Sequence, residues 1–156
     1  MSTNIESHRS WADMLALIFS FLAAIVSFWG AAITYLSQAQ IPEASLWPLP
    51  GFVLVDWLIL GIAGFVVVFF CLRRRAVIWL RMTWLLTGAF IPLIILGAFS
   101  IGLGVMIAFF LAMMSTFILA IRQKSKWLES FGFLMFGSII NLGLLALILV
   151  IANSGG

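Results

Sequence analysis

AVIWLRMTWLLTGAFIPLIILGAFSIGLGVMIAFFLAMMSTFILAI, residues 76–121, holds a single charged side chain, Arg81, in 46 residues. A helix rising 1.5 Å per residue crosses the ~30 Å hydrocarbon core of a bilayer with about 20 apolar residues. The run is therefore twice the length of one crossing and has to fold back. Gly97-Ala98-Phe99-Ser100-Ile101-Gly102-Leu103-Gly104 is the stretch suited to the reversal, because its glycines free the backbone for a tight turn. The run thus divides into spans at about 78–97 and 102–121.

Basic clusters bracket this core. Arg73-Arg74-Arg75 precedes it, and a second apolar run, residues 51–72, ends on that triplet. Twenty-two helical residues cover about 33 Å, enough to cross. Before it, residues 38–50 (QAQIPEASLWPLP) carry three of the four prolines and read as a loop. The first span is 11–37, too long for the ~7–15-residue apolar core of a signal peptide, and residues 1–10 are expected to be a frayed polar tail. On the other side, Arg122-Gln123-Lys124-Ser125-Lys126 closes the fourth span, and 130–152 forms the fifth. The expected fold is an all-α polytopic transmembrane helix bundle of five spans, one integral membrane domain over residues 1–156. Trp79-Leu80-Arg81 is echoed by Trp127-Leu128-Glu129 at a shift of 48, an echo too short to define a repeat.

Five spans place all eight Lys and Arg residues on one face, while loops 38–50 and 97–104 contain none. Cytoplasmic retention of positive charge makes that face the inside, with the amino terminus in and the carboxyl terminus out. Trp11, Trp79 and Trp127 fall at the inner span ends. Tyr35, Trp47 and Trp57 fall near the outer boundary, where amphipathic rings anchor, and Trp29 and Trp84 are expected to pack more deeply.

Composition removes several functional classes. With 65% hydrophobic and 8% charged residues, the chain cannot cover a water-soluble surface, which takes about 25% charge. The net charge of +3 then reads as a membrane-facing basic surface, with no nucleic-acid partner. One cysteine, Cys71, and one histidine, His8, leave no disulfide, no CxxC pair and no ligand set for haem, zinc or di-iron, so neither cofactor nor metal is expected. The paired cysteines of quinone-linked thiol oxidoreductases and the first-span glutamate of small multidrug transporters are both missing. No two acidic residues share a span, so no acid–base pair is assembled locally, and an enzyme is not expected.

The side chains that stand out are few. Asp13, Ala16, Ser20, Ala24, Ser27, Ala31 and Thr34 recur every three or four residues along the first span and form one stripe of small or polar residues. Small side chains bring helices close in lipid, so Ser20, Ala24, Ser27 and Ala31 are expected packing positions. Asp56 and Asn141 are the polar groups set into spans two and five, and with Thr34 they are the candidates for an ion or ligand site. Asp13 and Arg81 sit at matching depth and are expected to form an ion pair. Arg73, Arg74, Arg75, Arg122, Lys124 and Lys126 are expected to contact anionic lipid at the inner face. Pro92 lacks an N–H and strips the Gly88 carbonyl of its helical donor. Cys71, beside the triplet, is read as a small apolar residue.

These features point to a non-catalytic accessory or structural subunit of a larger or homo-oligomeric complex, its partners being the bilayer and other membrane subunits or itself. A small oligomeric channel or transporter built on Asp56 and Asn141 is the alternative. Short loops and the lack of an Asn-x-Ser/Thr sequon favour a bacterial cytoplasmic membrane.

Overall fold

A computed structural model describes residues 3–41, 51–97 and 102–154, apart from the side chains of 3–10 and 154. Among the described residues all regular structure is helical: α1 (Thr3–Ala39), α2 (Gly51–Arg74), α3 (Val77–Gly97), α4 (Gly102–Arg122) and α5 (Trp127–Ser154). All five are long and apolar enough to cross a membrane. The expected loop 38–50 lies outside the described residues from 42 onward, as do 98–101 of the expected reversal. Helix α1 begins at Thr3, so the tail expected to fray is helical; residues 3–10 contain neither proline nor glycine to stop it.

Helices α1 to α4 form a closed up-and-down ring, α1 against α2 and α4, α3 against α2 and α4. Helix α5 stands outside that ring and packs on α3. It slants across α3: at its start Trp127 meets Phe117 of α4, with ring centroids 5.4 Å apart, and further along Asn141 reaches the side of Asp56 on α2. Consecutive helices α2 and α3 pack together, whereas α5 leaves α4 for α3, so the halves echoed in sequence are arranged differently. The alternation of helix directions puts every Lys and Arg near one end, called here the basic end.

Two apolar clusters fill the interior. Trp57, Phe90, Leu93, Val105 and Leu145 belong to the one at the opposite end, and Val68, Leu80, Trp84, Leu119 and Leu134 to the one at the basic end. Trp57 is 1% exposed, a core residue and not the boundary anchor its position suggested. Its indole fits a slot that Gly30 and Gly104 leave, since a β-carbon on either would strike the ring. Trp29, expected inside, is 60% exposed, because the buried face of α1 is taken by Ala16, Ser20, Ala23, Ser27 and Ala31.

The crossing of α3 and α5 is a contact of backbones. A β-carbon on Gly88 would overlap the carbonyl of Leu134, and one on Gly137 would overlap that of Leu85. At this point Ser138 donates to the Gly88 carbonyl at 2.8 Å, the acceptor that Pro92 leaves without its helical N–H. Asn141 donates its Nδ2 to the carbonyl of Ala89 at 2.7 Å.

Ser138→Ala should cost about 1 kcal/mol, between the ~0.6 of an average interhelical hydrogen bond in a membrane and the ~1–3 of an orphaned buried acceptor. In a Pro92→Ala background, where the amide of residue 92 serves Gly88 again, the cost should shrink towards zero. Thermal unfolding of the four proteins in mild detergent measures this, and an equal cost in both backgrounds would show that Ser138 does not serve the proline's carbonyl.

Candidate functional site

Three groups of polar side chains interrupt the apolar bundle. The first is a layer of hydroxyls between the two apolar clusters. Ser20, Thr83, Thr87, Ser115 and Thr116 surround a cavity of about 20 Å3, room for roughly one water. Within that layer Thr87 and Thr116 share a hydrogen bond of 3.0 Å, and Ser115 donates to the Ala16 carbonyl of α1 at 2.7 Å. Ser20 and Thr83 bond to carbonyls of their own helices at 3.0 and 2.7 Å. Hydroxyls spent on carbonyls lower the cost of burying them and hold α1, α3 and α4 in register.

The packing positions of α1 border this layer. Ser20, Ser27 and Ala31 are buried, and Ala24 lies beside Gly61 of α2. Gly61 is close enough to Ser27 that a β-carbon there would come 2.5 Å from its Cβ. Ser27 Oγ is fully buried with no partner among the described residues.

The second group lies towards the opposite end. Asp56, one turn and a half into α2, is half-buried, and the Asn141 side chain of α5 lies within reach of its carboxylate. Its Oδ2 is buried without a partner among the described residues. The two polar residues singled out in separate spans are thus neighbours. Thr34 does not join them: its hydroxyl donates at 2.8 Å to the Gly30 carbonyl of its own helix. Nor does Asn141 share the hydroxyl cavity, because its amide is committed to Ala89.

The third group is the ionic belt at the basic end, and it corrects the expected pairing. Asp13 pairs with Arg122 of α4, while Arg81 pairs with Glu129 of α5 at 3.3 Å. The Asp13–Arg81 pair is not formed, because α1 packs on α2 and α4 and not on α3. Matching depth was the whole basis for that pair, and depth says nothing about which helices are adjacent. Glu129 also lies 3.8 Å from Lys126, and the Arg81 guanidinium sits over the Phe133 ring at 5.4 Å. Arg73, Arg74, Arg75, Lys124 and Lys126 are exposed, and Arg122 is half-buried. Cys71 is buried and accepts a hydrogen bond from Gln123 at 3.2 Å. Among the described residues no group of three His, Cys, Asp or Glu is placed to hold a metal ion.

The ion pairs make a direct test. Asp13 and Arg122 are mostly buried at their side chains, so removing one partner should cost about 1–3 kcal/mol, between an exposed pair and a buried one. A double-mutant cycle with Asp13→Ala and Arg122→Ala should show coupling, and the same cycle with Arg81→Ala in place of Arg122→Ala should show none. Coupling to Arg81 instead would mean that α1 is placed differently.

No protein-family model, curated protein or solved structure matches this chain.

Proposed function

We propose that this chain is a non-catalytic membrane subunit that assembles with other membrane proteins or with copies of itself, and that α5 is its docking helix. The observation that carries the reading is the place of α5 outside the ring of four. Leu128, Phe131, Phe136, Ile139, Leu147 and Val150 are exposed along it, and among the described residues nothing beyond the local helix backbone lies within 4 Å of where a β-carbon would stand on Gly132 or Gly143. Lipid tails gain nothing from an exposed glycine, whereas a neighbouring helix can approach its backbone closely. The hydroxyl cavity inside the ring supports the same reading, since Ser20, Thr83, Thr87, Ser115 and Thr116 are spent on carbonyls and on one another.

The basic end faces the cytoplasm in this proposal, by the rule that Lys and Arg are retained there, and the membrane is a bacterial cytoplasmic one. A reporter fused after Gly156 should then lie outside, across the bilayer from the amino terminus, and a reporter on the amino-terminal side would reverse the assignment.

A second reading has its own support. Asp56 and Asn141 come from different helices and meet, and one carboxylate oxygen lacks a partner among the described residues. That is the donor set of a small cation or proton site in an oligomeric channel or transporter.

Cysteine crosslinking separates the two. Gly143→Cys in a Cys71→Ala background should crosslink in native membranes, to a second copy or to a distinct membrane protein. A species that is monomeric in mild detergent and gives no crosslinks would remove the subunit reading. Cation or proton flux in liposomes that Asp56→Asn abolishes would establish the transport reading in its place.

A further inference from the structure

A cleft at the basic end is equipped for an anion. It lies where the α2–α3 connection meets the end of α4, has a volume of about 270 Å3, and is lined by Cys71, Leu72, Arg75, Val77, Arg122 and Gln123. We propose that this cleft binds a phosphate group, held by Arg75, Gln123 and the amino end of α3, and that the phosphate belongs to an anionic phospholipid headgroup. The proposal does not depend on what α5 docks.

Arg75 sits in the left-handed backbone region at φ 50°, a conformation that costs a residue with a β-carbon about 1–2 kcal/mol. It follows the end of α2, with its N–H bonded to the Cys71 carbonyl at 3.0 Å, where glycine or asparagine is the usual occupant. Lys124 has the same conformation at the end of α4, so the turn itself marks a helix end, and what sets Arg75 apart is that it lines the cleft.

Gln123 supplies the second donor. Its Nε2 is bonded to the Cys71 sulfur at 3.2 Å, and a thiol is a weak acceptor that a phosphate oxygen would outcompete. The third contribution is backbone. Val77, which lines the cleft, is the first residue of α3, whose dipole favours negative charge; of its opening N–H groups that of Trp79 is bonded to the Ala76 carbonyl at 3.0 Å, and those of Val77 and Ile78 have no acceptor within the helix. Arg122 adds a wall already neutralised by Asp13, so the positive charge offered to an anion in the cleft is that of Arg75; Arg74 beside it sits over the Phe70 ring at 5.5 Å.

The surroundings favour a lipid over a free anion. Leu72 and Val77 give the cleft an apolar side, and Val77 and Ile78 are exposed beside it at the end of a membrane-spanning helix. A headgroup lodged in the cleft would have its acyl chains alongside those side chains, in the hydrocarbon.

Native mass spectrometry of the full chain released from mild detergent tests this, with dioleoylphosphatidylglycerol, dioleoylphosphatidylcholine and inorganic phosphate as probes. One phosphatidylglycerol per chain should be retained at least about tenfold better than phosphatidylcholine. Arg75→Gly should remove that preference while leaving the unfolding temperature unchanged or higher, because glycine accepts the left-handed conformation. Lys124→Gly is the matched comparison: Lys124 also sits at φ 50° and carries the same charge, but it does not line the cleft. It should weaken retention no more than about twofold. Equal losses in the two variants, or equal retention of the two lipids, would overturn the site and leave only diffuse attraction to the basic end. Release of the bound lipid by millimolar inorganic phosphate would assign the same site to a free anion.

Discussion

A carbonyl buried at membrane depth needs a donor, and in this protein a proline withholds one. Hydrocarbon supplies no water to an unpaired backbone group, so the cost falls on whichever helix can answer it. Pro92 leaves the Gly88 carbonyl open within α3, and Ser138 of α5 closes it, with Asn141 bonding the neighbouring carbonyl of Ala89. Gly88 serves this contact twice, because its missing side chain also lets the Leu134 backbone approach. Helix α5 is thus fixed at one depth, at one rotation and on one neighbour. A helix of nearly uniform apolar surface has no hydrophobic face to orient it.

The rest of the bundle meets the same demand by other means. Lipid exerts no hydrophobic push between helices, so contact depends on van der Waals fit and on polar groups that find partners. Ring closure uses small residues wherever two backbones come near: Ser27 and Ala24 against Gly61, and Gly30 and Gly104 about the Trp57 ring. The hydroxyl layer between the two apolar clusters ties α1 to α4 through Ser115 and α3 to α4 through Thr87 and Thr116. Such bonds are individually weak, about 0.6 kcal/mol on average in a membrane. Their value here lies in register, since each lets its helices slide only by leaving a buried hydroxyl or carbonyl unpaired.

The helices were legible because hydrocarbon thickness dictates length, and length was read directly from apolar runs and basic clusters. The stripe on α1 was legible too, because a helix's period fixes which residues share a face before anything is known of its neighbours. What the sequence left hidden was adjacency. The Asp13–Arg81 expectation rested on depth, and α1 turned out to lie against α4, where Arg122 waits. Trp57 read as an anchor because the glycines that make room for its ring are on other helices, distant in sequence. Ser138 carried no signal of its own; only the parallel course of α3 and α5 makes it the answer to Pro92. The meeting of Asp56 with Asn141 was equally invisible, although each was conspicuous alone.

The attachments of α5 also determine which of its surfaces is left for others. Near the basic end it is held by the exposed Arg81–Glu129 pair, worth little where water and salt screen it. At mid-depth the hold is strongest, where Gly88 and Gly137 admit the opposing backbones and Ser138 caps the carbonyl. Beyond that, Asn141 and Leu145 turn inward while Leu142, Gly143, Leu144, Leu147 and Val150 face away from the bundle. A helix clamped at its middle and apolar on its far side would need little ordering by a partner on binding. For the docking role proposed for α5 that saving would count, because association in lipid has little to draw on except fit.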